Sequence, residues 1–403
     1  MKKQGHEVTK LPMYLPLFSD EHDLNEIQVF YGAISIYLKQ LYPVFRHAPA
    51  WMDRLLNSGP MLKLAASMAG STNAKGLEEM TVSMLMGEEG KQKEELNRMV
   101  SWMAEYLKPD VIHLSNALLL GLSPKLKKEF PNAILVCSLQ DEDIWVDAMK
   151  DSFRDKIWAL MSTKAEHLDA FIAVSDFYAG VSLEKMNIPK EKVFINHLGV
   201  DPDEYKFAKP ESKARNIGYI SRMCEGNGFD IIVDAFIELK KDTACQDVKL
   251  IVTGGSTGDD KPLLKQVRQK LKEERLLEQV EFHEDFNGEG RHEFFKKVKL
   301  ISVPVRNGEA FGLYLLESMA SGVPVVQPNL GAFAEIVNKS KGGIIYENNT
   351  AEELAVTLKK LLNNENKIQE LSVTGRKAVE KEFNIYTKTD YLIHIYKQLM
   401  EKN

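Results

Sequence analysis

VRNGEAFGLYLLESMASGVPVVQP, residues 305–328, reads as the end of a strand, a turn, a helix and the start of the next strand. The apolar runs LISVPV (300–305) and VPVV (323–326) have the length of buried strands, with turn residues between them. The spacing predicts a helix starting near Phe311 and stopping at Ser321 and Gly322, with Pro324 just beyond, where Gly and Pro follow a helix end. At the start of such a helix the N–H groups of Phe311, Gly312 and Leu313 have no acceptor within the helix, and with the helix dipole they form an anion-binding end. Gly312 removes a side chain where a ligand would come close. Glu309 lies at the mouth, and Glu317 follows eight residues later, about 12 Å along the axis of a continuous helix. Carboxylates beside a phosphate repel it, so these two make sense as acceptors for sugar hydroxyls at its two ends. An ordinary amphipathic helix with Glu309 as a first-turn acid fits the same residues.

The segment EAFGLYLLESMASGVPVV resembles the signature of the retaining glycosyltransferases of family 4 (glycosyl transferases group 1), in its spacing of Glu, Phe-Gly, Glu and Ala-x-Gly-x-Pro-Val. GAFAEIV (331–337) and GGIIYE (342–347) continue the likeness, which is good from about residue 165 onward and partial before it. The resemblance implies an α/β chain of GT-B fold, with two Rossmann-like doubly wound domains facing a cleft. It also implies a nucleoside diphosphate sugar as donor substrate, and no separate cofactor.

Composition agrees with this class and narrows it little. At 403 residues the chain exceeds the roughly 250–300 residues at which single cores stop growing, so two domains are expected. A formal net charge of -6 and a pI near 5.9 give no support for a nucleic-acid partner. No apolar run approaches the roughly 18 residues of a membrane span, and MKKQGHEV has no signal-peptide core. PKLKKEF (124–130) could meet anionic lipid peripherally, although such runs are usually a solvated helix face. Cys137, Cys224 and Cys245 have no metal-ligand spacing and suit a reducing cytoplasm.

Along the chain, the start departs most from the family. KKQGHEVTKLPMYLP reads as a helix end, a Gly stop at Gly5 and then a second strand, so the first strand and its Gly-rich loop are missing; a late start assignment is expected rather than a natural truncation. Residues 20–108 carry Leu, Met and Ala at helical spacing and suggest a helical insertion. GSTNAKG (70–76) lacks the ending of a phosphate loop and reads as a turn. PDVIHLSNALLL (109–120) and NAILVCSLQDEDIW (132–145) read as buried parallel strands, which puts His113, Ser115, Asn116, Gln140 and Asp141 at strand ends where ligands bind. His113 matches a common family position, but a structural hydrogen-bonding role fits a lone His equally well. Gln140 falls where the family usually has a His touching the donor sugar. Asp141 and Asp143 form an Asp-x-Asp suited to a hard divalent cation, yet acids at a helix start also favour its dipole, and no metal is expected.

The Gly-Val-Asp turn at 199–201, beside His197, precedes a charged linker at 201–215. The expected domains are therefore 1–205 on the acceptor side, 206–384 for the nucleotide sugar, and a helix from 385 to 403 returning to the first domain. In NIGYISRMCEGNGFDIIVDAF (216–236) Arg222 matches the family's diphosphate-clamping Arg, while Asn227 replaces its Lys. By resemblance the loop at Gly255 borders the phosphates, and Phe282 and His283 lie against the base, although Phe282 could equally be core.

The expected function is transfer of a hexose, with retention and without metal, from a nucleoside diphosphate sugar, UDP more than GDP, to a carbohydrate or lipid-linked acceptor of polysaccharide assembly. Glu309, Arg222 and Gln140 are the expected catalytic residues. Arg222, Asn227, Gly255, Phe282, Phe311, Gly312, Leu313 and Glu317 are expected to hold the donor. A non-catalytic nucleotide-sugar binder of the same fold is the alternative, with an epimerase third.

Overall fold

The computed structural model describes residues 1–11, 13, 76–283 and 288–402. The Leu- and Met-rich stretch before residue 76, with most of GSTNAKG, lies outside them. A 3-10 turn at Lys2–Gln4 ends at Gly5 in the left-handed conformation, φ 84, the stop that the sequence suggests. The strand expected after it is not formed over residues 6–11, which are mostly exposed and find no partner strand among the described residues.

The described chain divides into two compact units. The first comprises residues 1–173, 179–194 and 392–403, the second 174–178 and 195–391. Ahead of the linker at 201–215, Gly199 packs on Ile385 and Val200 bridges Asn384 within the second unit.

In the first unit, helices α1 (Glu78–Leu85) and α2 (Lys93–Tyr106) precede strand β1 (Val111–Leu114). Then come α3 (Ser123–Glu129), β2 (Ile134–Leu139), α4 (Glu142–Asp147), α5 (Asp151–Ala165), β3 (Ala170–Ala173), α6 (Asp176–Met186) and β4 (Val193–Ile195). The four strands form a sheet in the order β1-β2-β3-β4. β1, β2 and β3 are paired in parallel, and β2 and β3 are apolar along nearly their whole length, as strands covered on both faces must be.

The second unit contains β5 (Ile217–Ile220), α7 (Phe229–Lys240), β6 (Leu250–Thr253), α8 (Lys261–Glu273), β7 (Val280–Phe282), α9 (Glu289–Lys297) and β8 (Leu300–Ile301). It continues with α10 (Leu313–Ala320), β9 (Val325–Pro328), α11 (Phe333–Ser340), β10 (Gly343–Tyr346), α12 (Ala351–Leu362) and α13 (Glu365–Lys381). Its six strands are parallel in the order β10-β9-β8-β5-β6-β7, the doubly wound arrangement whose chain direction reverses between β5 and β8. Arg376 from α13 donates to the carbonyls of Pro202, Tyr205 and Ala320, fixing the start of the linker against this unit.

The last helix, α14 (Ile385–Lys402), belongs to both units. Its final turns lie on the first sheet, with Ile395 in a cluster with Ile134, Val136, Ala170 and Ile172, flanked by Leu392, Tyr396 and Leu399. Tyr396 anchors this packing: its hydroxyl lies 2.5 Å from Nδ1 of His113, whose Nε2 lies 2.8 Å from Ser138 Oγ. A neutral imidazole donates once and accepts once, so two hydroxyls satisfy it and a proton would have nowhere to be solvated. Burial pushes the His113 pKa down to about 4, from an unfolded value of about 6.5. Between those values the unfolded chain binds a proton and the native chain does not, so this contribution is complete above pH about 6.5 and is lost as pH falls toward 4. In urea denaturation the wild type is expected to lose about 2–3 kcal/mol more than His113→Asn between pH 7 and 4.5. Equal losses would assign the acid sensitivity to other groups.

Candidate functional site

In an open parallel sheet a ligand crevice forms beyond the carboxyl ends of the strands where the strand order reverses. In the second unit that place is the pair β5 and β8, followed by the loops at 221–228 and 302–312. The two loops are joined. Arg306 donates from its backbone to the Gly226 carbonyl (3.0 Å) and from Nε to the Glu225 carbonyl (3.0 Å), and it pairs with Asp230. Gly228 has φ 68, and a Cβ there would lie 2.0 Å from the Pro304 carbonyl oxygen, so no other residue fits.

On the first loop Arg222 meets Asp260 through two parallel bonds, Nε to Oδ2 (2.8 Å) and Nη2 to Oδ1 (2.9 Å). Nη2 also donates to Thr257 Oγ1 at 2.7 Å. Burial would raise the Asp260 pKa, but the guanidinium and the amide and hydroxyl of Thr257 outweigh it and hold this carboxyl below its usual range. One edge of the guanidinium is thus fixed by a buried carboxylate. Sequence reading found Arg222 but not Asp260, which lies 38 positions away with no pattern linking the two. Asn227 donates to Ser221 Oγ at 2.8 Å and more weakly to the Arg222 carbonyl, so its amide braces the loop on which Arg222 stands. Gly255 is adjacent, its carbonyl accepting the Met223 N–H at 2.9 Å, and the space beside its α-carbon is open.

On the second loop α10 starts at Leu313 with Gly312 as N-cap, and the expected stop at Ser321 and Gly322 is found. Among the described residues the N–H groups of Phe311, Gly312 and Leu313 have no acceptor. Leu313 is exposed, whereas Phe311 is buried. Glu309 bends over this end, since a Cβ on Gly312 (φ 82) would lie 3.0 Å from its Oε2. The Tyr314 phenol on the first turn of α10 has its pKa raised well above the ordinary value, by burial first and by the Glu309 charge second.

The structure sets Glu317 apart from that group. It is buried, with Oε1 taking hydrogen bonds from Arg291 Nη1 (2.5 Å) and Tyr205 Oη (3.0 Å). It thus holds α9 and the linker as well as standing on α10, and neither partner is signalled locally in the sequence. Phe282 is half-buried, with the Arg268 guanidinium 4.1 Å from its ring centroid and Phe229 on its edge.

In the first unit Gln140 is exposed and its side-chain amide donates to the Ser115 carbonyl at 3.1 Å. Asp141 takes the left-handed N-cap position of α4 (φ 57), and Asp143 lies in its first turn. The acid that organises this loop is Glu142: its buried carboxylate accepts the N–H groups of Ala117 and Gln140, both at 2.8 Å. In the second unit Asp176, His197 and Glu335 place potential ligand atoms within 4.8 Å of one another. Glu335 already accepts the N–H groups of Asp176 (3.0 Å) and Phe177 (3.2 Å) and stands 2.5 Å from His197 Nε2. Amides at the start of α6, whose first residues belong to the second unit, favour an anion over a cation there.

Residues 85–204 match the family described as Glycosyltransferase Family 4, and residues 201–378 match Glycosyl transferases group 1. The lipopolysaccharide core biosynthesis mannosyltransferase LpsB of Rhizobium meliloti is 26% identical over 61% of this chain and 66% of its own length. The putative colanic acid biosynthesis glycosyltransferase WcaL of Escherichia coli is 25% identical over 54% of this chain and 53% of its own. The matches thus span about half to two thirds of the length of these relatives. Among solved structures, Anabaena Alr3699/HepE in complex with UDP superposes with a TM-score of 0.66 at 17% identity, covering 76% of this chain and 82% of that one. Sucrose-phosphate synthase of Thermosynechococcus elongatus gives 0.64 at 19%, covering 77% and 79%. Two adjoining family matches that together run from 85 to 378, a strand order reversing between β5 and β8, and these structural likenesses lead to one conclusion: the chain belongs to the family 4, group 1 glycosyltransferases and has their GT-B fold.

Proposed function

We propose that the chain transfers a hexose, with retention, from a nucleoside diphosphate sugar to a carbohydrate or lipid-linked acceptor in polysaccharide biosynthesis. The observation carrying this reading is the convergence of Arg222 and the open N-terminus of α10 on loops joined beyond β5 and β8. An always-charged guanidinium and a row of N–H groups suit a diphosphate better than any neutral ligand. The donor is UDP-linked rather than GDP-linked on this reading, as the UDP complex of HepE suggests by likeness of fold.

The diphosphate lies across Gly255, Arg222 and the Phe311, Gly312 and Leu313 amides, with Asn227 behind the clamp and Phe282 toward the base. Glu309 accepts sugar hydroxyls and Glu317 those of the ribose, for which the bond from Arg291 or Tyr205 must be shared. Gln140 contributes an amide to the sugar. The C1–O bond to the diphosphate breaks, the acceptor oxygen bonds to C1 on the same face, and its proton passes to the departing phosphate, so no side chain need serve as a covalent nucleophile. Arg222 and the helix end stabilise the charge that develops on the leaving group. No metal takes part, and the enzyme works in the cytoplasm, with peripheral contact at a membrane for a lipid-linked acceptor. No helix among the described residues is long and apolar enough to cross a membrane.

The second reading, a nucleotide-sugar binder without turnover, is favoured by Asn227, whose bond to Ser221 gives the clamp a brace where the family has a second cation.

By calorimetry UDP should bind more tightly than GDP or ADP, and Arg222→Ala should weaken it by about 10-fold or more. Equal, weak binding of all three, unaffected by the substitution, would contradict the donor site. Asn227→Lys should strengthen UDP binding by roughly 5-fold through one added phosphate contact; an unchanged constant would remove position 227 from the site. Transfer from UDP-hexose should survive excess EDTA. A complete loss that Mg or Mn restores would bring Asp141 and Asp143 into the mechanism instead.

A further inference from the structure

Arg222 and Arg291 each meet a buried carboxylate, and they do so differently. Arg222 grips Asp260 through two parallel bonds, one to each oxygen, the arrangement in which a guanidinium fork engages the whole group. On Glu317 the donors crowd onto a single oxygen: Arg291 Nη1 at 2.5 Å and Tyr205 Oη at 3.0 Å both reach Oε1. Among the described residues no hydrogen bond goes to Oε2. A carboxylate oxygen accepts about two donors, so the protein fills one half of this group and leaves the other to a ligand.

Both donors are held by contacts other than those to Glu317. The Tyr205 carbonyl takes a hydrogen bond from Arg376, which also donates to the Ala320 carbonyl at the end of α10. The Tyr205 ring is buried and stands edge-on to His292 and Phe295, 5.9 and 6.5 Å between centroids. Those two residues lie on α9 beside Arg291, so α9 and the linker present the hydroxyl and the guanidinium together. A flexible Glu side chain is thereby ordered before any ligand arrives, and its ordering entropy is not charged to the binding step. Arg291 also offsets a negative charge that would otherwise repel a diphosphate. We propose that Arg291 and Tyr205 are positioning residues that fix the Glu317 carboxylate through Oε1 and leave Oε2 as the acceptor for the ribose hydroxyls of the donor nucleotide. This rests on the role given to Glu317 above.

Calorimetry of the full chain with UDP and GDP, each beside its 2′,3′-dideoxy counterpart, isolates the ribose hydroxyls. The wild type should bind the nucleotide of its preferred base about 10-fold or more tightly than the dideoxy form. Tyr205→Phe keeps the ring and its packing and removes only the hydroxyl; it should shrink that ratio about threefold. Arg291→Lys keeps the charge and loses the planar fork, and it should shrink the ratio at least as much, to roughly a third or less. In both variants the affinity for the dideoxy form should stay within about twofold of wild type. Tyr205→Phe carries the test alone if Arg291→Lys does not fold. Equal weakening of both forms, with the ratio unmoved, would mark the two residues as structural only and overturn the proposal while the donor site stands. A wild-type ratio near one would take the ribose away from Glu317 and overturn the proposal, again without touching the diphosphate site. No binding of either parent nucleotide by the wild type would overturn the donor-site reading itself, and the positioning role with it.

Discussion

The backbone contact between Gly228 and the Pro304 carbonyl is the constraint on which the candidate site depends. It lies where the six-stranded sheet reverses its order, and it lets the loops after β5 and β8 share one surface instead of splaying apart. The left-handed turn at Gly228 also starts α7, so the fold of the following helix and the meeting of the loops are consequences of one backbone conformation. A methyl group at that position would have to displace a carbonyl oxygen, and with it the strand end that leads to Glu309 and α10.

Around that contact the charges are unevenly satisfied, and the pattern suits a ligand that is anionic in one place and rich in hydroxyls in another. Arg222 keeps its charge but is steered by Asp260, which gives direction at the expense of net positive potential. Asn227 adds shape to the loop and no charge. The remaining positive character comes from the amides at the start of α10, which are oriented by the helix itself and need no side chain. Glu309 stands before the start of that helix, and Glu317 within it is held by Arg291 and Tyr205.

What could be read from the sequence was what is written locally. The span and stop of α10, the buried strands on either side, Gly5 as a stop and Arg222 after a strand all rest on neighbouring residues or on a family spacing. What could not be read depends on partners far apart in the chain. Asp260 for Arg222, and Glu142 bracing Gln140 and Ala117, leave no periodic trace. His113 shows the limit well: its residue type fitted both a ligand contact and a structural bond, and only the placement of Tyr396, 283 positions away, joins it to the packing of the last helix. Composition marks the charged linker, whereas the close packing of Gly199 on Ile385 leaves no local trace.

The most direct test of the account is a crystal structure of the chain soaked with UDP. The account predicts the diphosphate between the Arg222 guanidinium and the N–H groups of Phe311, Gly312 and Leu313. A nucleotide bound elsewhere on the second unit, with Arg222 and the start of α10 left untouched, would contradict it.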